Sequence, residues 1–458
     1  MIVGLWIGLL YGAAASTIPA GLAQSSILLA VPASIPESYL DSLYGGLLNG
    51  PDETSYVFNS ISNHQISIHQ SSIVDNDPND INKFVRLNKI NYPSDDDTSD
   101  LASPGPLYSG IVTWGNQPYY NCFNASNLHN NDPKEQIQFD VAIVGAPFDT
   151  GVSFRPGARF GPNGIRDGSK RISFDGKIPV RNYNHNHHNN NNDNNDFNHI
   201  NPYKALKIVD CGDVPMTPFD NRIALNQLYR GQRIVHKYNS FNKTLSSHPR
   251  IITLGGDHTV TLMTLKSAYE TFGKLSLIHF DSHLDTWDPK YLGGGKSKYS
   301  SINHGTFLHY AAEKGYINKN SSLHVGIRAP LINDEHDLEN DRICGFQIIN
   351  AREIDYIGIH GIIHAIKKTI PFHNKTPVYI TFDIDVLDPA YAPGTGTSEP
   401  GGFTTREILS IIDGLVGINL VGADVVEVSP IYDSAGQITV LAAAQIIDSF
   451  LGLMSIAL

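Results

Sequence analysis

The sequence predicts an α/β fold, a mostly parallel sheet of about eight strands flanked by helices in three layers. Two observations carry this. From Phe139 onward, short β-branched runs recur, separated by stretches of helical character. Those runs are almost continuously apolar rather than alternating, which is how strands buried on both faces read. Strands alternating with helices imply parallel pairing through crossovers.

The expected strands are FDVAIVG (139–145), LKIVD (206–210), RIITL (250–254), LSLIHF (275–280), LHVGI (323–327), FQII (346–349), PVYITF (377–382) and LVGADVVEV (420–428). Helices are expected near 220–238, 259–272, 305–315, 357–369, 404–414 and 436–452. In such sheets ligands gather beyond the carboxyl ends of the strands, so the chemistry is sought there.

Other segments read differently. Residues 1–23 hold an apolar run, MIVGLWIGLLYGAAA, ending in small residues, and read as a signal peptide too short to span a membrane. Residues 24–105 contain PDETS, DNDPND and SDDDTSD, a low-complexity extension with little to bury. Residues 106–458 form the expected catalytic domain, interrupted by an Asn-rich insert at 182–201. Sequons at Asn124, Asn242, Asn320 and Asn374 fit a secretory route.

Composition narrows the function. The 458 residues are 41% hydrophobic and 17% charged, enough for a packed core. The net charge of -12, without a basic tract, disfavours nucleic acid and suits a small cationic substrate. Three cysteines, none in a CxxC pair, exclude a dense disulfide framework and a zinc ribbon.

Three strands run into acidic or imidazole groups. RIITL leads to Gly255-Gly256-Asp257-His258, LSLIHF to Asp281-Ser282-His283-Leu284-Asp285, and PVYITF to Asp383-Ile384-Asp385. Alternate residues of an extended segment share a face, so Asp281, His283 and Asp285 should project together, as should Asp383 and Asp385. Buried carboxylates need counter-charge, and cations supply it. Four aspartates and two histidines suffice for two metals with bridging carboxylates. Oxygen-rich ligation suits Mn²⁺ or Mg²⁺ better than Zn²⁺ or Cu²⁺. Two such ions about 3.5–4 Å apart can hold a hydroxide as nucleophile.

GGDH (255–258), DSHLD (281–285) and FDIDVLDP (382–389) together resemble the three signature motifs of the arginase/agmatinase ureohydrolase family. APGTGTSEPGG (392–402) and AIVGAPFDTGVSFRPGARFGPNGIR (142–166) resemble its agmatinase-like branch. The resemblance extends from about Tyr108 to Leu458. It implies an arginase-like fold and two Mn²⁺ ions. His258, Asp281, Asp285 and Asp383 would serve one ion, and His283, Asp281, Asp383 and Asp385 the other, with Asp281 and Asp383 as bridges. It further implies His304 and Asp385 in proton transfer, Asp285 within the catalytic set, and Glu427 and Thr397 on the substrate. A planar guanidinium suits a bidentate carboxylate such as Glu427. Thr259 and Ser282 depart from the family, which usually has Ser and Ala there.

The implied reaction is hydrolysis of agmatine to putrescine and urea by a manganese-bound hydroxide, in a trimer or hexamer. 4-Guanidinobutyrate is the alternative substrate. Loops 286–300 (Lys290, Lys296, Lys298) and 328–342 (Asp334, Glu335, Asp337) are expected to choose between them. A zinc deacetylase of related fold would keep only one Asp-His-Asp site, whereas His258 and Asp385 complete a second. A secreted metal-binding protein without activity would not need His304 and Glu427.

Overall fold

The structure is a computed structural model that describes residues 111–124, 137–172, 201–292, 300–372 and 375–456. The expected signal peptide, the extension, the Asn-rich insert apart from Asn201, and Lys296, Lys298 and Asn374 lie outside these residues.

Eight strands form one sheet among the described residues: β1 (Val141–Ala146), β2 (Ile208–Asp213), β3 (Arg250–Gly255), β4 (Ser276–Phe280), β5 (Ser322–Ile327), β6 (Phe346–Asn350), β7 (Pro377–Asp383) and β8 (Asn419–Val426). Their order is β2-β1-β3-β8-β7-β4-β5-β6. Every pair is parallel.

The helices are α1 (Gly161–Gly168), α2 (Pro202–Ala205), α3 (Asn221–Val235), α4 (Thr261–Phe272), α5 (Phe307–Glu313), α6 (Asp334–Cys344), α7 (Ile354–Thr369), α8 (Thr405–Asp413) and α9 (Ile438–Met454). Packing sorts them into two layers. α1, α9, α8 and α7 neighbour one another in turn, as do α3, α4, α5 and α6. The strands feed both layers. In β1, Val141 and Ile143 join the core under α7, α8 and α9, while Ala142 and Val144 join the one under α3. This explains why strand hydrophobicity is continuous rather than alternating.

Three helices were not expected: the single turn α2, and α1 and α6. α1 reads GPNGIRDG, without apolar periodicity, because its glycines serve close approach. A Cβ on Gly161 would lie 2.7 Å from the Gly255 carbonyl, and one on Gly168 would lie 2.5 Å from that of Val440. α6 occupies the stretch taken above as an acidic loop. Asn333 caps it by accepting from His336 N, three acids sit in its first turn, and Gly345 (φ 94°) ends it.

A disulfide joins Cys122 to Cys211, with Cα atoms 5.3 Å apart. It ties residues 118–120 to the sheet-edge strand β2, where Tyr120 N donates to Asp210 O and Asp210 N to Pro118 O. No described helix is long and apolar enough to cross a membrane.

Candidate metal centre and substrate site

The four central strands β3, β8, β7 and β4 carry all the expected metal and catalytic groups except His304 at or just beyond their carboxyl ends. After β3 the chain turns sharply into a 3₁₀ turn, His258–Val260. Gly256 makes this possible, since a Cβ there would fall 1.8 Å from the Phe148 carbonyl. Its amide donates to Ala146 O, and its carbonyl accepts from Glu427 N. Adjacent strand ends are thereby locked together.

The alternation expected beyond β4 and β7 is replaced by turns. β4 stops at Phe280, and Asp285 comes round through left-handed backbone (φ 57°). Asp385 lies in a 3₁₀ turn, Ile384–Val386, and its N–H donates to Asp383 Oδ1. The carboxylates still converge, by a different local geometry.

Two groups of ligand atoms result, each mutually within 4.8 Å: His258, His279, Asp281 and Asp285; and Asp281, His283 and Asp385. Asp281 is common to both. Asp383, expected as the second bridge, stands outside these tightest groups. Its Oδ2 lies 3.3 Å from His258 Nδ1. All of these side chains are buried except His283, which is half-buried.

Hydrogen bonds aim the His258 ring. Thr381 Oγ1 donates to Asp424 Oδ1 (2.6 Å), so it must accept from His258 Nε2 (2.8 Å). The Nδ1 lone pair is left facing Asp281, Asp285 and Asp383 at 3.0–3.3 Å. A lone pair set against carboxylate oxygens calls for a positive charge between them. His258 Nδ1, His279 Nε2 and Asp281 Oδ2 make no aligned hydrogen bond despite their closeness. Burial and the charges of Asp385 and Asp281 push the Asp383 carboxyl well above the usual range. Burial and Asp281 push Asp285 up to about 6. The donor set and its electrostatics therefore fit divalent cations.

His279 was missed. It begins a chain in which its Nδ1 meets His324 Nδ1 (2.6 Å), and His324 Nε2 meets Asp341 Oδ1 (2.9 Å). Asp341 also accepts from Thr286 Oγ1. The sequence carries the signal: His279, inside the apolar run of β4, opens the alternating row of ligating residues His279, Asp281, His283 and Asp285. Arg328 was missed as well. Its guanidinium donates to the carbonyls of Asp385 (2.7 Å), Leu387 (3.2 Å) and Glu399 (2.7 Å), bracing the loop that carries Asp385.

Glu427, past β8, also adopts left-handed backbone (φ 59°). Its Oε1 accepts from His258 N (2.9 Å) and lies 3.2 Å from His304 Nδ1. Burial alone would lower the His304 pKa, but its bond to Glu427 outweighs this and the pKa is raised. His304 Nε2 reaches Ser153 Oγ at 2.8 Å, so residues 151–153 border the same site. Thr397 Oγ1 donates to Asp385 Oδ2 (3.3 Å). Ser282, one of the departures, donates to Asp385 Oδ1 at 2.7 Å.

Of the acids expected to choose the substrate, Asp337 is buried and accepts from Ile332 N and Asn333 N. Its Oδ2 serves the start of α6, and the side chain is buried rather than presented to a substrate. Asp334 and Glu335 are exposed on the first turn, and Lys290 is exposed on the neighbouring loop.

Known proteins share this design. A sequence model described as the arginase family matches residues 139–452, more than half of the chain. The chain is 46% identical to a Schizosaccharomyces pombe protein provisionally named agmatinase 1, over 78% of this chain and 87% of that one. It is 38% identical to the agmatinase of Chromobacterium violaceum, over 72% and 88%. Among solved structures, proclavaminate amidino hydrolase from Streptomyces clavuligerus superposes with a TM-score of 0.62 at 30% identity, covering 77% of this chain and 99% of that one. With its three family motifs at the carboxyl ends of β3, β4 and β7 and Glu427 at that of β8, the chain belongs to the arginase family, as a metal-dependent ureohydrolase of the agmatinase-like kind.

Proposed function

We propose that the chain hydrolyses agmatine to putrescine and urea, with two Mn²⁺ ions held by His258, Asp281, His283, Asp285, Asp383 and Asp385. The observation that carries this is the meeting of a buried Asp/His cluster with Glu427 and His304 at the ends of the central strands. The relatives named as agmatinases support the substrate. When bound, the ions supply a water that ionises near neutral pH and positive charge beside the attacked carbon.

The chain's own groups do the rest. Glu427 accepts the guanidinium N–H groups and fixes the plane of the substrate. A C–O bond forms at the guanidinium carbon, the C–N bond to the alkyl amine breaks, and the amine nitrogen takes a proton. His304 stands where it can deliver that proton, with Glu427 and Ser153 holding its two ring nitrogens. Thr397 and Ser282 hold the Asp385 carboxylate in place.

The test is urea release from agmatine, 4-guanidinobutyrate and arginine in parallel after Mn²⁺ loading. Urea from agmatine alone is expected. Urea from guanidinobutyrate alone keeps the mechanism and changes the substrate, and urea from none refutes the proposal.

We also assign the chain to the secretory route, as a homo-oligomer of three or six copies. The Cys122–Cys211 disulfide suits an oxidising compartment, and the sequon residues Asn124 and Asn320 are exposed. Enzyme recovered from the medium with endoglycosidase-sensitive mass, and of trimer or hexamer size by light scattering, is the expected outcome. Unglycosylated monomer confined to cells refutes it.

A further inference from the structure

The amino ends of β3, β7 and β8 border a cavity of about 460 Å³. It lies at the opposite end of these strands from the metal groups, roughly 15–20 Å away by the rise of a six-residue strand. Arg250, the first residue of β3, lines it. This guanidinium is only 5% exposed, and its Nε and Nη2 have no hydrogen-bond partner. Buried arginines are ordinarily paired, because an isolated charge is costly to desolvate.

Asp140, the acid whose charge acts on Arg250, is already engaged. Its Oδ1 accepts from Ser240 Oγ (2.9 Å) and Asn242 N (2.6 Å), and its Oδ2 accepts from Lys207 N (2.9 Å). Burial outweighs its attraction and brings Arg250 down to about 10. Lys243 and Lys375 line the same cavity, and among the described residues no acidic side chain does. Three cations therefore share one hollow of a chain whose net charge is -12.

We propose that this cavity is a binding site for a small oxyanion, distinct from the substrate site. The planar fork of Arg250 presents two unused donors, the arrangement that grips phosphate or carboxylate oxygens. Lys243 and Lys375 add charge at the rim.

The test is equilibrium dialysis of the full-length, Mn²⁺-loaded enzyme against labelled inorganic phosphate at constant ionic strength, with acetate as competitor in a second arm. One saturable phosphate per chain is expected here. Lys243→Gln with Lys375→Gln should weaken it about 3- to 10-fold, as partly screened charges do. Arg250→Met should weaken it about 10- to 100-fold, as loss of hydrogen bonds to a charged group does. Urea turnover should be unchanged in both. Acetate competition extends the site to carboxylates, and its absence restricts the site to phosphate-like anions.

Phosphate held at the metal centre would be retained by both variants and would inhibit turnover. If all bound phosphate behaves so, or none binds saturably, the proposal is overturned. Arg250→Met also separates a ligand role from a structural one. In anion-free buffer its melting temperature should equal or exceed the wild type's, because an unpaired buried charge has been replaced by an apolar chain. A fall in melting temperature, with phosphate uptake unchanged in the lysine variant, would make Arg250 structural and sink the idea.

Discussion

Thr381 decides which nitrogen His258 offers. It makes no contact with the expected substrate groups, yet its hydroxyl is committed to Asp424 and so dictates the imidazole tautomer. Thr381→Val should weaken Mn²⁺ binding about 10- to 100-fold, the usual cost of losing such a supporting partner, read by metal titration. Asp383→Asn should lose metal and turnover together, and a variant that retained both by elemental analysis and urea assay would contradict the assignment. Glu427→Gln should keep the metals. Its kcat/KM for agmatine should fall by an amount equivalent to about 2–5 kcal/mol, as when a buried charge loses its partner. At this scale the sequence was legible wherever strand and motif coincide. It was less so where a turn replaced a strand, as at Asp285, or where the donor sat inside the apolar run, as with His279.

The elements show a similar division. All eight strands were readable, because burial on both faces leaves an unmistakable apolar run. α1 was not, since Gly161, Gly164 and Gly168 satisfy close packing rather than helix propensity. α6 carried a readable cap, acidic first turn and terminal Gly345, but its acidity suggested a loop. The disulfide could not be read from three cysteines alone, since pairing depends on Cys122 lying beside edge strand β2. It covers backbone that a second chain could otherwise pair with. Cys122→Ser or Cys211→Ser should lower unfolding free energy by about 2–5 kcal/mol, measured by denaturant titration with and without reductant.

Over the whole molecule, pH and metal set stability. His236 is buried, bonded to Ser267 Oγ and packed edge-on to Phe272. Burial, then His248 and Arg233, bring its pKa down to about 3 from 6.5. Between these values the unfolded chain carries the proton and the folded one does not. Stability is therefore full above about 6.5 and declines as pH falls toward 3, by at most about 1.4 kcal/mol per pH unit from this group. His236→Gln should flatten that part of the curve relative to wild type, measured by thermal melts across pH 4–8. Chelation should act in the same sense. An ion present at 1,000 times its dissociation constant adds about 4 kcal/mol to the folded state, so EDTA should lower the melting temperature and Mn²⁺ should restore it.

Asp285 and Glu427 hold their carboxylates in place through left-handed backbone, a conformation costing roughly 1–3 kcal/mol for residues other than glycine. Glycine would relax both positions and abolish the chemistry at each. In chelator, where no ion stabilises the folded state, a population of variants selected only for survival of heating should therefore collect glycine at 285 and 427, outlasting the metal-free parent while releasing no urea once manganese is restored. Thermal robustness and catalysis pull this chain in opposite directions at two identifiable codons.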